Sequence, residues 1–214
     1  MKINQILDEY SAINKGIIDA LKEKGYEFIT KGGDQAVFLE PGGKTVLKIF
    51  GTQDYALAPD QNKKDSKPVF SEDHKMFFRW AKYCNEHSSN PFLPKFSGFE
   101  SFYWDRYVYL QIRQERMYPL KTVLGNMMED MASFAKDGYS FNEMLDVIDR
   151  YYDKELPSLE RQVGKSGIKL LYKTIVMLES IGNEIGANLD LHSDNFLSRT
   201  PDGEFPVIVD PWVL

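Results

Sequence analysis

Three short β-prone runs, Tyr26 to Ile29, Ala36 to Leu39 and Thr45 to Phe50, are separated only by the breaks Gly32–Gly33–Asp34 and Pro41–Gly42–Gly43. Glycine and proline in such breaks supply the backbone angles of tight turns. The runs are too short for ordinary helices and the breaks too short for a crossover, so residues 26–50 are predicted to form a three-stranded antiparallel meander. The rest of the chain has to be arranged around it. Upstream, Ile6, Leu7, Tyr10, Ile13, Ile17, Ile18 and Leu21 recur at helical spacing and Gly25 follows. An amphipathic helix over 4–24 is expected.

Downstream, residues 51–70 are polar, hold two prolines and read as a loop, with Lys63–Lys64 as solvated charge. Ser71 can cap a helix over 72–86, whose Glu72 and Asp73 suit the positive end of its dipole. The run NPFLP at 90–94 reads as extended, and Lys95 to Glu100 and Tyr107 to Glu115 read as two further strands. After Pro119 the period becomes helical, with helices expected over 120–135, 140–154 and 166–186 before a closing strand Val207–Ile208–Val209. Five strands with one helix inserted after the third, followed by helices, make an α+β chain. Three segments follow: an N-terminal helix over 1–25, a β-rich lobe over 26–117 and a helical lobe over 118–214. A cleft is expected where the lobes meet.

Composition narrows the function classes. With 214 residues, 43% hydrophobic and 27% charged, the chain can bury a core, and no apolar run reaches the roughly 18 residues of a membrane helix. The opening MKINQILDEY lacks the basic-then-apolar layout of a secretory leader. The single Cys84 excludes an intrachain disulfide and a cysteine-built zinc site. A cytoplasmic monomer without a membrane partner is expected. A net charge of −6 argues against general nucleic-acid binding but leaves room for a small basic pocket for phosphates.

The chemistry concentrates between Asp190 and Asp210. Asn195 follows Asp190 by five positions, and Asp210 ends a β-branched strand fifteen positions further on. A strand-end carboxylate beside a loop carboxamide offers the hard oxygens that Mg²⁺ takes together with substrate phosphates. A further carboxylate, Asp190, can accept a proton from a hydroxyl nucleophile. The plainer reading is that Asp and Asn cap turns here. In the β half, Lys48 sits mid-strand, one hairpin after Gly32–Gly33. A lysine aimed into a cleft, with glycine N–H groups nearby, would hold phosphates; the plainer reading turns Lys48 to solvent and leaves the glycines as a turn.

Taken together, glycine turn, strand lysine, Asp190 with Asn195 five residues on, and strand-end Asp210 resemble the protein-kinase-like superfamily. Leu189–Asp190–Leu191–His192–Ser193–Asp194–Asn195 is similar to a catalytic loop of the antibiotic- and choline-kinase kind, with His192 two positions after the acid. The D-x-H-S-x-N and D-P ending and the compact size also resemble small kinase-like proteins encoded by bacteriophages. The resemblance implies a minimal bilobal fold with a five-stranded antiparallel lobe, one inserted helix and a truncated helical lobe. It implies ATP and Mg²⁺ as cofactors, and a protein or small-molecule hydroxyl as acceptor, a protein Ser or Thr first. Asp190 then matches the base, and Asn195 and Asp210 the metal ligands. Lys48 matches the residue on the α- and β-phosphates, and Gly32 and Gly33 the loop over them. Gln114–Glu115–Arg116–Met117 matches the hinge, with the Glu115 carbonyl and the Met117 N–H on the adenine edge. His192 steadies either the transferred phosphoryl group or its own loop.

The pattern departs from the family in places. Thr30 and Gln35 stand where loop glycines are expected, and Asn188–Leu189 replaces the usual His-Arg pair. The inserted helix offers Lys48 only Glu72 or Asp73 near its start as an acidic partner, with Glu86 at its end. Four residues follow Asp210, so no activation segment is expected, and the insert 119–164 or the N-terminal helix is left to recognise an acceptor. His74 and His87 are expected at the surface, whereas Phe77, Trp80, Tyr83 and Cys84 read as core. Two other functions remain open: nucleotidyl transfer on the same fold, and a catalytically silent binding module.

Overall fold

The structure is a computed structural model and describes residues 15–31, 35–51, 72–104 and 107–213. The Gly32–Gly33–Asp34 turn, the loop beyond Gly51 with Lys63–Lys64, the Ser71 cap and the first half of the N-terminal helix lie outside the described residues. The chain divides into two compact units, Met1–Ala81 with Lys95–Arg116, and Lys82–Pro94 with Met117–Leu214.

The first unit is a five-stranded antiparallel sheet clad by helices. Its elements are α1 (Lys15–Glu23), β1 (Glu27–Lys31), β2 (Gln35–Leu39), β3 (Thr45–Phe50), the first part of α2 (Glu72–Glu86), β4 (Phe96–Trp104) and β5 (Tyr107–Glu115). The strand order is β1-β2-β3-β5-β4. The β2–β3 turn closes as expected: the Gly43 N–H donates to Glu40 O at 2.9 Å, and Gly42 and Gly43 take φ of +98° and +71°, which L side chains rarely adopt.

β3 is central, and both of its faces are covered. Leu47 and Ile49 join Ile17 of α1 with Ala36, Phe38 and Tyr109 in one core. On the other face, Phe50 meets Phe77, Phe78 and His74 of α2, and Phe77 also packs edge-on to Phe96. Two-sided cover explains why TVLKIF is apolar nearly throughout rather than alternating. It also corrects the expectation for His74, which is buried with its ring 5.4 Å from that of Phe50. His87 is at the surface as expected, stacked on Tyr83.

The second unit is helical with small sheets. It contains β6 (Tyr118–Pro119), α3 (Thr122–Lys136), α4 (Phe141–Tyr151), α5 (Glu155–Ile185), β7 (Asn188–Leu189), β8 (Phe196–Ser198), β9 (Pro206–Ile208) and β10 (Trp212–Val213). Met127, Met128 and Met131 of α3 are fully buried, as are Leu171, Ile175 and Leu178 of α5. α4 opens with a capping box, in which the Ser140 hydroxyl accepts from the Glu143 N–H and the Glu143 carboxylate accepts from the Ser140 N–H. α5 begins at Glu155, eleven residues before the expected start at 166. Pro157 lies in its first turn, where no intrahelical N–H donor is needed. Gly164 interrupts the helical angles at φ 71° and ψ 163°, so one long element is two helices joined at a kink. No helix among the described residues is long and apolar enough to cross a membrane.

Candidate functional site

In the second unit, the segment from Leu189 to Phe196 is held by backbone pairing on both sides of Asp210. β7 pairs with β10, Leu189 opposite Trp212, and the Asp190 N–H donates to Pro211 O at 2.8 Å. β8 pairs with β9, Phe196 opposite Ile208, and the Val209 N–H donates to Asn195 O at 3.0 Å. Asp190 is therefore tied to the residue after Asp210, and Asn195 to the residue before it. Three polar residues that the sequence separates by twenty positions are brought to adjoining backbone positions.

The side chains refine this. Asn195 Nδ2 donates to Asp190 O at 2.5 Å and lies 3.4 Å from Asp190 Oδ2. With its amide protons directed at Asp190, the Asn195 oxygen is the group left to meet a cation. A 3₁₀ turn over Ser193–Asn195 begins at His192, whose Nδ1 accepts from the Asp194 N–H at 3.3 Å. His192 Nε2 lies 3.7 Å from Asp190 Oδ2. Asp190 and His192 are both substantially exposed, and so is Asp210.

Two supports were not legible in the sequence. Glu129 of α3 accepts the Ser193 N–H at 3.2 Å, and one turn earlier Gly125 lets the loop lie so close that a Cβ there would meet Ser193 Cβ at 3.2 Å. Their spacing of four puts them on one helix face, but a glycine and an acid in that relation have no meaning until the loop is seen against them. Behind the site, the Trp212 indole N–H donates to Leu178 O at 2.9 Å, and Gly182 leaves room for the ring. Arg199, just past β8, donates to the carbonyls of Pro91 and Leu93, and the Ile208 N–H donates to Phe92 O at 2.9 Å. NPFLP is therefore not extended as expected: it turns, with the Leu93 N–H donating to Asn90 O at 3.4 Å and the Phe92 N–H to Asn90 Oδ1 at 3.0 Å, and its carbonyls are held by β9 and Arg199.

In the first unit, Lys48 lies between Val37 and Ile112 in the sheet, on the α2 face. It is half-buried, with Nζ 5.0 Å from the centre of the Phe77 ring, a cation–π distance. Glu72 is engaged by Lys75 one turn along its own helix. Asp73, the other acid considered for Lys48, has no described side chain. Glu115 ends β5 and its carboxylate accepts the Lys95 N–H at 2.9 Å; Met117 precedes β6 at the start of the second unit. Gly32 and Gly33 lie outside the described residues.

Mg²⁺ fits this chemistry in a limited way. Among the described residues no group of three or more His, Cys, Asp or Glu is placed to hold a metal. Asn195 and Asp210 offer one amide oxygen and one carboxylate, too few for a protein-only cage but the usual share for an ion that keeps waters and phosphate oxygens. No known protein-family profile matches the chain, and no curated protein or solved structure matches it significantly.

Proposed function

We propose that the chain is an ATP-dependent phosphotransferase of the protein-kinase-like kind, moving the γ-phosphoryl group to a hydroxyl, in the first instance that of a protein Ser or Thr. The observation that carries this reading is the double backbone tie that brackets Asp210 with Asp190 on one side and Asn195 on the other. A turn-capping role for these residues would not require a strand pair on each flank.

Asp190 acts on the acceptor hydroxyl. Transfer through a loose transition state needs the nucleophile held in line more than it needs early proton removal. An exposed carboxylate on a backbone-fixed loop meets that need, and it receives the proton as the new bond forms. His192, whose Nε2 lies 3.7 Å from the Asp190 carboxylate, steadies either the transferred phosphoryl group or its own loop. Asn195 and Asp210 would hold Mg²⁺, which when bound neutralises charge on the phosphates. Lys48 is assigned to the phosphates: on the half-buried α2 face its ammonium meets an aromatic ring, which a phosphate oxygen can outcompete.

Incubation with γ-labelled and, in parallel, α-labelled ATP in the presence of Mg²⁺ and cell lysate tests the reading. Label passing to protein from the γ position alone is expected. Label from the α position would replace it with nucleotidyl transfer. No transfer together with retained ATP binding would make the chain a binding module.

A further inference from the structure

The loop that carries Asp190 and Asn195 is tied at both ends. The Asp190 N–H donates to Pro211 O at 2.8 Å, and Asn195 O accepts the Val209 N–H at 3.0 Å. Two fixed ends define a line and leave the segment between them free to roll about it. The hydrogen bonds inside the loop do not oppose that motion. The Asp194 N–H goes to His192 Nδ1 at 3.3 Å, the Asn195 N–H to His192 O at 2.9 Å, and the Phe196 N–H to Ser193 O. Each joins near neighbours in the chain, so it shapes the 3₁₀ turn without orienting it. The Ser193 N–H differs: it donates to Glu129 Oε2 of α3 at 3.2 Å. A bond from the middle of the loop to a separate element supplies the third point that fixes the roll.

α3 is a firm place for that point. Leu124, Met127, Met128 and Met131 are buried along it. Asp130, next to Glu129, accepts the Tyr152 hydroxyl at 2.6 Å, which ties the helix to the residue that caps α4. The roll of the loop decides the aim of Asn195. The Asn195 amide nitrogen is held by Asp190 within the same loop, so the side chain turns with the loop as one body. Resting on the reading of Asn195 as a Mg²⁺ ligand, we propose that Glu129 is a positioning residue for that ligand: by holding the Ser193 N–H it fixes the roll of the loop, and with it the direction that the Asn195 oxygen faces. The role needs an acceptor oxygen at the end of the Glu129 side chain, not a negative charge. Outer partners that orient a metal ligand are commonly worth ten- to a hundredfold in metal affinity or activity.

The test uses the full chain carrying Glu129→Leu, Glu129→Ala or Glu129→Gln. Glutamine keeps an acceptor oxygen at the same reach, whereas leucine and alanine keep the helix and offer none. Three quantities are read on each: the Mg²⁺ concentration that half-maximally promotes ATP binding in calorimetry, hydrogen exchange of the Ser193 amide without nucleotide, and melting temperature. With leucine or alanine the Mg²⁺ requirement is expected to rise by roughly tenfold or more. Ser193 exchange should quicken by about fivefold. Melting temperature should stay close to the wild type, because Glu129 is exposed. Glutamine should bring the Mg²⁺ requirement back near the wild-type value. A leucine or alanine variant with the wild-type Mg²⁺ requirement or the wild-type Ser193 exchange overturns the proposal. So does a glutamine variant as impaired as leucine, since the charge and not the bond would then act. A loss that follows melting temperature overturns it in favour of plain stability. In all of these cases the wild type still binds ATP with Mg²⁺. A wild type whose ATP binding does not respond to Mg²⁺ overturns the underlying reading of Asn195, and this proposal with it.

Discussion

Asp190 is fastened by its backbone: its N–H goes to Pro211 and its carbonyl oxygen receives the Asn195 amide. Among the described residues its carboxylate has only the longer approaches from Asn195 and His192. Removing that charge should therefore disturb the loop little and the chemistry greatly, which separates a base from a turn cap. Arg199 is the opposite case, a side chain whose value is structural. It offers two charge-assisted bonds to the Pro91 and Leu93 carbonyls, so Arg199→Leu should lower stability by about 2–4 kcal/mol, read from urea unfolding. Glu143 gives the pH response. The Ser140 hydroxyl and N–H beside it hold its carboxyl below the usual glutamate value of 4.5. A depressed folded-state pKa contributes stability that is present above 4.5 and is lost as pH falls through the folded value. Urea midpoints at about pH 7 and about pH 3.5 should show that loss, and Glu143→Gln should reduce it, leaving the share of Glu72 and Asp202, whose carboxyls are also held low. The group is fully exposed, so the effect is small. At this scale the sequence singled out Asp190, Asn195 and Asp210 by residue type, and the fold brings their backbones together. It was silent on Glu129 and Arg199, whose partners are backbone groups brought near only by folding.

Elements were legible where turn chemistry and period agree. The meander and the Tyr107–Glu115 strand follow directly from Gly-Gly breaks and β-branched runs. The paired two-residue strands β6, β7 and β10 were not, since two residues carry no period and their partners are distant in sequence. The early start of α5 was hidden by Pro157 and Gly164, breakers that the fold places in a first turn and at a kink. The misjudged His74 shows the same limit: burial on a helix depends on which sheet face the helix covers. One element now appears as the seat of the loop. Gly125 and Glu129 put α3 directly beneath Ser193, so Gly125→Val should press on Ser193 and displace the turn. A cost of about 1–3 kcal/mol in stability is expected, with a loss of phosphoryl transfer larger than the loss of folded protein. Comparing turnover per folded molecule with melting temperature checks this. A loss of turnover no greater than the loss of folded protein would assign Gly125 to packing alone.

At the scale of the whole chain, the two units meet in sequence at Arg116–Met117, where the change of period near residues 115–119 implied a boundary. The first is a sheet with apolar cover on both faces and one half-buried lysine on the α2 side. The second is a helical body whose short strands carry the polar loop. Separable defects are therefore expected. Lys48→Met should weaken ATP binding without unfolding the chain, since it exchanges an ammonium over Phe77 for an apolar side chain of similar reach. Asp190→Asn should leave ATP binding intact. The most direct measurement is γ-phosphoryl transfer by Asp190→Asn, with ATP affinity and melting temperature taken on the same preparation. Turnover is expected to fall by roughly 10²–10⁴-fold, with ATP affinity and melting temperature close to the wild type. Full activity in that variant, or a loss of activity matched by a loss of folded protein, would contradict it.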